Sequence, residues 1–552
     1  MPHGAAPGVD FQAIAFAYRR HPDQHAATPA RHPVVVVGAG PVGLSLAIDL
    51  AQRGVKVLLL DDDDRLASGS RAICFAKRTL EVFDRLGCGA PMVAQGVSWS
   101  VGRVFFKDAA IYRFDLLPEP GHERPAFINL QQYCVEGHLA ARAAALPLID
   151  LRWKNQVSAM ARHDGHVTLS IDTPDGRYRI EADHVVACDG SRSTLRSLLG
   201  LQSRGRAFKD RFLIADIRIE ADLLPGGATE RWFWFDPAFH PNQSVLLHRQ
   251  PDNLWRIDFQ LGWDADPEVE KRPENILPRV KALLAHSPVK DVAFTLEWAS
   301  VYTFACMRME QFRHGRVLFA GDAAHGVSPF GARGANSGVQ DADNLAWKLA
   351  RVVRGESPDA LLDSYAAERE FAADENILHS SRATDFITPK SEISRLLRNA
   401  VLDLAREHAF ARRLVNSGRL STPAVLRETV LNSADVDVGD AAFAGPLCPG
   451  AVAADAPLRR GDSATWLLRE LGPEFTLLVF GPAPPWATSL PLTVVSIAAS
   501  GLVDVWGLAA QRYDGRPGTA YLLRPDQHVC ARWRQPDAPA VKAALARATA
   551  NL

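Results

Sequence analysis

Four consecutive valines, Val34–Val37, lead directly into the sequence Gly38-Ala-Gly-Pro-Val-Gly43. A buried strand that runs into a tight glycine turn and then a helix is typical of a dinucleotide site. We predict that Gly38 permits the turn, and that Gly40 lets the backbone approach a pyrophosphate. Gly43 would allow the helix and the strand to pack closely.

The residues after this turn complete a strand–helix–strand unit. A helix that begins at Pro41 and Val42 ends at Gly54, and its free N–H groups would face the pyrophosphate. A second apolar strand, Val57–Leu60, then ends at Asp61. In such sites an acid about 20 residues after the first glycine binds a ribose 2′-hydroxyl, and we predict that role for Asp61. The alternative is a plain strand–helix–strand unit with a glycine-rich turn.

Composition narrows the class of protein. A chain of 552 residues is too long for one core, so we expect two or three domains. A net charge of −1 argues against a nucleic-acid partner. The seven cysteines are scattered without a Cys-x-x-Cys pair, which predicts no metal site and suits a reducing cytoplasm. With no signal peptide and no apolar run of membrane-spanning length, we expect a soluble intracellular protein without a membrane partner.

The chain divides into segments that differ in composition and in hydrophobic pattern. We expect a loose leader (1–32), a nucleotide-binding domain in two parts (33–206 and 306–390), a sheet inserted between them (207–305), a helical connector (391–433), a linker rich in Gly, Pro, Ala and Asp (434–462) and a small α/β domain (463–552). The inserted segment alternates in the manner of strands, and such a sheet can cover a ligand pocket.

A second motif, Cys188-Asp-Gly190, follows a short apolar strand. A carboxylate at a strand end beside a glycine turn suits a cofactor hydroxyl or an approaching nicotinamide. By itself, however, Asp-Gly is most often only a turn.

The third motif is the stronger one. The strand Val317–Ala320 leads into Gly321-Asp-Ala-Ala-His325, where Asp322 is placed to bond the sugar-like chain of a flavin. The glycines of 329–338 indicate close backbone approach to a flat ligand. A long helix begins in that stretch, and its N-terminus would stabilise negative charge on a reduced flavin by about 0.3–2 kcal/mol. A plain glycine-rich loop before a helix is the alternative.

Together the three motifs resemble, in order and spacing, those of the group A single-component FAD-dependent aromatic (phenol-type) hydroxylases. The resemblance covers about residues 33–390 and is nearest to the branch of 3-(3-hydroxyphenyl)propionate hydroxylase and phenol hydroxylase. It implies an α/β fold: a Rossmann-type FAD-binding domain with an inserted mixed β-sheet substrate domain, a helical connector and a C-terminal thioredoxin-like α/β domain. The last domain lacks a Cys pair, so we expect only a structural or dimer role for it, and a homodimer is one expected assembly.

The resemblance also implies roles for matching residues. Asp61 would bind the adenosine ribose, Asp189 would lie in a motif associated with both FAD and NAD(P)H, and Asp322 would bind the ribityl chain. Pro329 would lie beside the substrate ring. The other implied FAD contacts are Arg71 at the ribose-pyrophosphate, Gln132 at the flavin chain, Gly321 in the ribityl-binding turn, and Gly334, Ala335 and Asn336 along the isoalloxazine.

As the resemblance implies it, the activity is that of an NAD(P)H-dependent monooxygenase. O₂ would add to the reduced FAD, and the C4a-hydroperoxide would hydroxylate a phenol, with a phenolic acid such as a hydroxyphenylpropionate as one candidate. The hydroperoxide must stay dry, or it loses hydrogen peroxide unproductively. A phenol suits this reaction because losing or sharing its proton enriches the ortho and para carbons in electrons. The chain has no second dinucleotide motif, and the choice between NADH and NADPH stays open.

Candidates for the substrate pocket come from the inserted sheet. Alternation places Trp232 and Trp234 on one face of a strand, where both are expected to wall the ring. Tyr302 is our candidate for the phenol oxygen, and His325 for a proton relay. The other polar candidates are Arg218, His248 and Arg256, of which the arginines suit a carboxylate. Ordinary packing is the alternative for each of these residues.

Other functions stay open from the sequence. The main alternative is a different FAD enzyme, an epoxidase or a dehydrogenase. Residues 232–237 resemble the Trp-x-Trp-x-Ile-Pro signature of flavin-dependent halogenases, but Asp236 replaces the isoleucine. A flavin-binding regulator without turnover is an alternative from another class.

Overall fold

The computed structural model describes residues 11–67, 72–224, 229–287, 292–415, 420–435 and 442–551. Within these ranges the strands form four sheets. Two sheets of eight strands build the predicted nucleotide and substrate domains, and a seven-stranded sheet builds the C-terminal domain.

The first sheet forms the nucleotide-binding domain. Its strands in spatial order are β17 (Arg313–His314), β18 (Val317–Phe319), β11 (Gly176–Ala187), β1 (Ala30–Val37), β2 (Val57–Leu60) and β8 (Ile149–Arg152), with β10 (Val167–Thr173) and β9 (Gln156–Arg162) extending from β11. From β18 to β8 the neighbouring strands are parallel. All four residues of β2 and the last four of β1 are buried, as expected for strands inside a parallel sheet.

The second sheet contains the inserted segment. Its strands in spatial order are β19 (His325–Gly326), β16 (Thr295–Met309), β12 (Ser203–Arg218), β15 (Leu254–Leu261), β14 (Ser244–Arg249), β13 (Arg231–Phe235), β5 (Val101–Phe106) and β6 (Ala109–Asp115). The predicted insert at 207–305 is therefore too narrow. Strand β5 pairs in parallel with β13, so residues far earlier in the chain complete the sheet.

The C-terminal sheet is mixed. Its strands in spatial order are β21 (Ser463–Trp466), β20 (Pro457–Arg460), β24 (Leu502–Asp504), β23 (Thr493–Ile497), β22 (Thr476–Phe480), β25 (Ala520–Leu523) and β26 (Val529–Trp533). Strands β24, β23 and β22 run parallel, whereas β25 and β26 are antiparallel to their neighbours. A small antiparallel sheet joins β3 (Cys74–Ala76), β7 (Phe127–Asn129) and β4 (Val97–Trp99).

The helices connect and cover these sheets. They are α1 (Pro41–Gln52), α2 (Lys77–Leu86), α3 (Gly89–Gln95), α4 (Gln132–Ala144), α5 (Thr194–Leu198), α6 (Pro267–Glu270), α7 (Pro273–Ala285), α8 (Gly334–Val353), α9 (Leu361–Ile387), α10 (Glu392–Ala405), α11 (Ala409–Val415), α12 (Leu467–Glu470), α13 (Leu508–Tyr513) and α14 (Ala538–Ala548). Helices α1 and α8 pack together behind the first glycine turn. Among the described residues, no helix is both long and apolar enough to cross a bilayer.

The segment expected to be a loose leader is packed from residue 11 onward. Phe11 is buried in the core of the nucleotide domain. Phe16 stacks on Trp153 with ring centroids 4.2 Å apart. The expectation of a loose segment is wrong there because these apolar side chains pack against the nucleotide domain. Residues 1–10 lie outside the described residues.

The expected linker at 434–462 is also wrong in part. Leu447, Cys448, Ala451 and Ala453 are buried in the core of the C-terminal domain. Small apolar residues that read as linker composition instead fill the space beneath the sheet. Residues 436–441 of the linker lie outside the described part of the chain.

The C-terminal domain shares a core with the nucleotide domain. Trp347 of α8 is fully buried and packs in one cluster with Phe475, Leu522 and Cys530. Beside this cluster, Arg524 donates to both carboxylate oxygens of Glu368 at 2.7 and 3.0 Å, and the side chains are 0% and 1% exposed. The domain is therefore attached by a continuous buried interface.

Candidate FAD and substrate site

The predicted motifs lie in one row at an edge of the first sheet. Strand β1 lies between β2 and β11, and β11 also pairs with β18, all in parallel. Gly38 directly follows β1, Asp61 directly follows β2 and Cys188 directly follows β11. Gly321 follows β18 after one intervening residue, Ala320. Because the carboxyl ends of parallel strands meet at one edge, the three motifs and Asp61 line a single crevice.

Two of the three glycines in the first turn are required by the protein's own backbone. Gly38 has a φ of +103°, and an added Cβ would lie 2.4 Å from the carbonyl oxygen of Cys188. An added Cβ at Gly43 would lie 1.9 Å from the carbonyl oxygen of Gly38. Because both residues lack a side chain, the first turn can pack against the second motif and against the start of α1.

Gly40 is different, because an added Cβ there would meet no atom of the described residues within 4 Å. Its φ of −73° is open to any residue, and no side chain of the described ranges caps the N-terminus of α1 that it precedes. Open space in front of uncapped N–H groups is what a pyrophosphate requires. The turn therefore fits the dinucleotide that the sequence predicts, with Pro41 at the start of the helix.

Asp61 is fixed at the end of β2. Its Oδ2 accepts a hydrogen bond from the backbone N–H of Ala39 at 2.6 Å, and its Oδ1 accepts one from Asp63 at 2.9 Å. Burial raises the pKa of Asp61 to about 6, since the two hydrogen bonds only partly offset the loss of solvent. The carboxylate thus lies at the turn, where a ribose would contact it.

Asp189 holds the start of α5. Its Oδ2 accepts a hydrogen bond from the backbone N–H of Leu195 at 3.0 Å, and burial raises the pKa of its carboxyl. Beside it, an added Cβ at Gly190 would meet no atom within 4 Å in the part of the chain that the structure describes. The position suits a ligand hydroxyl, and the contact with FAD or NAD(P)H stays a prediction.

The third motif packs directly on the first. A Cβ added at Gly321 would lie 2.8 Å from Cγ2 of Val42, and a Cβ added at Gly338 would lie 2.6 Å from the same atom. The Val42 side chain therefore fills the gap between α1 and α8, which leaves its backbone as the part that can face a cofactor. Asp322, the next residue, is exposed at the same edge.

Helix α8 supports the Gly321 turn through a buried carboxylate. Asp341 accepts hydrogen bonds from the backbone N–H of Gly321 at 2.9 Å and from Nε of Arg369 at 2.6 Å, and its Oδ2 lies 2.7 Å from Nε2 of His325. Burial would raise the pKa of Asp341, but His325 and Arg369 outweigh it and hold this pKa below its usual value.

His325 is enclosed by this network. Its side chain is 1% exposed, and its ring stacks on Phe312 at 5.7 Å. A proton relay to a substrate needs a reachable nitrogen, so the geometry favours the packing alternative. Sequence reasoning missed Asp341, although this acid falls on the same helical face as Leu345 and Leu349, and a charge on an apolar face was the available signal.

The N-terminus of α8 is anchored by Asn336. Its Oδ1 accepts hydrogen bonds from the backbone N–H of Ala76 at 2.8 Å and from the hydroxyl of Thr79 at 2.6 Å. Its Nδ2 donates to the carbonyl oxygens of Cys74 at 2.9 Å and Ala332 at 2.6 Å. The side chain is thus fully used by the protein, and only backbone along 334–336 is left to line the predicted isoalloxazine.

Gln132 borders a gap in the described residues. Its Oε1 accepts from the backbone N–H of Ala72 at 3.1 Å, and its Nε2 donates to Glu136 at 2.8 Å. Glu136 in turn accepts from the backbone N–H of Ala67 at 2.7 Å. The two side chains hold both ends of the segment that carries Arg71, which itself lies outside the described residues.

The second sheet turns one face toward this crevice. Phe212 and Leu246 on that face form a cluster with Phe330, which follows Pro329. The Phe330 ring lies 4.7 Å from that of Phe212. Pro329 is exposed beside the cluster, and its place next to the substrate ring stays a prediction.

Trp232 and Trp234 lie on the opposite face, and their predicted role as pocket walls is wrong. Both pack in a cluster with Ile276 and Val280 of α7, on the side away from the crevice. Alternation correctly placed the two rings on one face, but sequence could not say which face meets the flavin domain. Phe233 lies between them on the inward face, opposite Leu246.

The two predicted arginines are already paired. Arg256 lies on the inward face and donates to both oxygens of Asp216 at 2.8 and 2.7 Å, so it has no free charge for a carboxylate. Burial would lower the pKa of Arg256, but Asp216 outweighs it and raises this pKa. Arg218 lies at the exposed strand end and pairs with Glu297 at 2.9 Å, which places it outside the pocket.

His248 lies on the inward face with Tyr302, which is opposite Phe212 in the register. Its Nε2 lies 3.0 Å from Oδ2 of Asp258, so Nε2 carries the proton and Nδ1 is an acceptor. Burial, with Arg231 nearby, lowers the pKa of His248 to about 4, and the imidazole is neutral at neutral pH. Its Nδ1 lies 4.0 Å from Sγ of Cys74.

These contacts link the two halves of the site. Cys74 touches Asn336 through its carbonyl and His248 through its sulfur. The polar part of the substrate sheet is therefore one residue away from the segment predicted to line the flavin. In the described ranges, no group of three or more His, Cys, Asp or Glu side chains is arranged to hold a metal ion.

Residues 31–380 match the family described as FAD binding domain. The match covers more than half of the chain, so the chain belongs to this family of FAD-binding flavoproteins, and FAD is its cofactor. The predicted resemblance to the group A FAD-dependent hydroxylases is confirmed.

Individual relatives agree with this assignment. The chain is 30% identical over 383 residues to a 3-(3-hydroxy-phenyl)propionate/3-hydroxycinnamic acid hydroxylase of Mycolicibacterium smegmatis, covering 68% of this chain and 65% of the relative. The chain thus spans slightly less than two thirds of that relative's length. A 12-dehydrotetracycline 5-monooxygenase/anhydrotetracycline 6-monooxygenase of Streptomyces rimosus is 28% identical over 519 residues, or 91% of this chain and 95% of the relative.

A solved structure extends the likeness to the whole fold. The flavin-dependent monooxygenase PieE, in complex with FAD and substrate, superposes with a TM-score of 0.79 at 21% identity, covering 95% of this chain and 100% of that one. This likeness confirms the predicted multidomain α/β fold class, including a C-terminal domain.

Proposed function

We propose that this chain is a flavin-dependent monooxygenase that uses NAD(P)H and O₂ to hydroxylate a phenolic ring. One observation carries the proposal: the FAD crevice lies directly against the inward face of the second sheet. Asn336, Cys74 and His248 join the two by contacts of 2.9 and 4.0 Å. The names of the hydroxylase relatives support it.

Bound FAD supplies the oxygen-transfer chemistry in this proposal. The protein's part is to keep water out and to fix the ring. The cluster of Phe212, Leu246 and Phe330 provides an apolar surface for both tasks. Pro329 lies at its rim and would border the ring.

His248 is the residue that we propose meets the phenol hydroxyl. It is neutral, and its orientation is fixed by Asp258. Among the described residues, its Nδ1 has only the sulfur of Cys74 as a neighbour at hydrogen-bond range. An acceptor placed there would accept a hydrogen bond from the phenol hydroxyl, which orients the ring and modestly raises its electron density. Tyr302 shares this face and stays the second candidate.

The decisive experiment is a panel of phenols and phenolic acids with the FAD-loaded protein. We expect at least one compound to stimulate NAD(P)H oxidation several-fold. Its product should be about 16 mass units heavier than the compound itself, because a monooxygenase adds one oxygen atom. Peroxide release is measured in parallel to separate hydroxylation from uncoupled oxidation. NAD(P)H or dye turnover without a hydroxylated product would favour the epoxidase or dehydrogenase alternative, and bromide-dependent products would favour the halogenase.

A fused-ring phenol is a second candidate substrate. The tetracycline monooxygenase relative matches 91% of this chain, including the C-terminal domain, whereas the hydroxyphenylpropionate hydroxylase relative matches 68%. Including naphthols and hydroxyanthraquinones in the panel distinguishes the two. The homodimer and the cytoplasmic location stay predictions from the sequence.

A further inference from the structure

Arg231 is a buried cation on the inward face of the substrate sheet. The residue is 5% exposed, and Trp232 pairs with Leu247, so Arg231 lies across from His248. Its guanidinium lies over the rings of Trp99 and Phe233, at 5.8 and 5.1 Å. The first strand position of β13 thus brings a positive charge into the polar part of the pocket.

Arg231 has no ion pair within the described part of the chain. Its Nη1 donates only to the sulfur of Cys74 at 3.8 Å, and its buried Nε has no hydrogen-bond partner there. Asp216 is held by Arg256, and Asp258 contacts His248, although Asp258 still feels the charge of Arg231. A buried guanidinium with unused donors costs stability unless a partner arrives.

We propose that Arg231 binds an anionic oxygen of the aromatic substrate. The proposal deepens the proposed function, on which it rests, by naming the substrate class as a phenol that carries a carboxylate or is bound as its phenolate. A planar fork of N–H donors matches a carboxylate in two-point contact. The positive charge of Arg231 would also stabilise an ionised phenol oxygen.

The test measures binding rather than turnover, so its outcome is separate from that of the proposed function. The FAD-loaded protein is titrated with 3-(3-hydroxyphenyl)propionate, with its methyl ester and with phenol, and the absorbance of bound flavin reports the Kd. We expect the Arg231→Met variant to weaken binding of the acid at least tenfold and to leave the ester within about twofold. Arg231→Lys should recover part of the loss, because it keeps the charge without the fork.

The two sources of the anionic oxygen give different results. If the anion is the phenolate, the acid, the ester and phenol all weaken in Arg231→Met, and phenol binds the wild type more tightly as pH rises toward about 10. Unchanged binding of all three compounds in both variants would overturn the proposal. The surface variant Arg218→Gln on the same sheet is the matched control and should behave as wild type.

Thermal unfolding distinguishes a binding residue from a structural one. Without ligand, Arg231→Met should unfold at the same or a higher temperature than wild type, since it removes an unpaired buried charge. A marked fall in unfolding temperature together with unchanged binding would show that the arginine only supports the fold. If Arg231→Met does not fold, the Lys variant decides by its Kd for the acid.

Discussion

Asp341 on helix α8 accepts a hydrogen bond from the backbone N–H of Gly321 at 2.9 Å. This contact joins the turn that follows β18 to the helix whose N-terminus faces the predicted isoalloxazine. Because His325 and Arg369 bond to the same carboxylate, one acid fixes three parts of the flavin crevice.

Removing this carboxylate charge should loosen the crevice. In Asp341→Asn, Arg369 becomes a buried cation without its partner, and we expect a loss of about 3–5 kcal/mol in the free energy of unfolding. Urea denaturation of the FAD-loaded protein measures it. As control, Asp374→Asn removes a partner from the ion pair with Arg308, where Asp374 is 58% exposed, and should cost at most about 1 kcal/mol.

The glycines of the first turn provide a matched pair. Gly40→Ala should fold normally but lose FAD, since the new methyl group meets no atom of the described residues and would enter the space predicted for the pyrophosphate. Gly43→Ala should unfold more easily, because its methyl group would lie 1.9 Å from a backbone oxygen. Circular dichroism and FAD titration separate the two effects. Normal FAD affinity in Gly40→Ala would contradict the assignment of this turn.

FAD affinity should fall as the medium becomes acidic. The pKa of Asp61 is raised to about 6, so the carboxylate that accepts ribose hydrogen bonds is lost as pH drops through that value. We expect the Kd for FAD to rise between pH 7 and pH 5 in the wild type. In Asp61→Asn the affinity should be lower at pH 7 and should vary less over this range.

His248 should make the fold sensitive to acid. Its pKa is lowered from 6.5 to about 4. Between these two pH values the imidazole is protonated in the unfolded chain but stays neutral in the folded chain. Relative to His248→Gln, the wild type should lose about 2–3 kcal/mol of unfolding free energy between pH 6.5 and pH 4, and almost nothing above about pH 7.5. Equal pH dependence of the two proteins would show that the imidazole is not held neutral.

The two faces of the substrate sheet should respond differently to mutation. Phe330→Ala opens the apolar cluster next to Pro329, and we expect a raised KM and more peroxide release per NAD(P)H consumed. Trp234→Phe changes the outward face, and KM and coupling should stay within about twofold of wild type even if stability falls by about 1 kcal/mol. A change of substrate preference in Trp234→Phe would reverse our assignment of the faces.

Local patterns predicted the nucleotide edge well, because each motif is a continuous stretch whose backbone geometry follows from its own glycines. The substrate face was harder, since the partners of Arg256 and His248 come from other strands and depend on register. Arg231 was missed for the same reason: nothing near it in sequence shows that no carboxylate of the described residues pairs with it. The predicted domain boundary at 207 is wrong because strands from much earlier in the chain complete the second sheet. The boundary at 434 is wrong because small apolar residues of the expected linker are buried in the C-terminal core.

Trp347, in the C-terminal half of α8, packs into the interior of the C-terminal domain. Without the last domain, the indole of Trp347 and the carboxylate of Glu368 would face water. Loss or exchange of the C-terminal domain would therefore require new surface residues on α8.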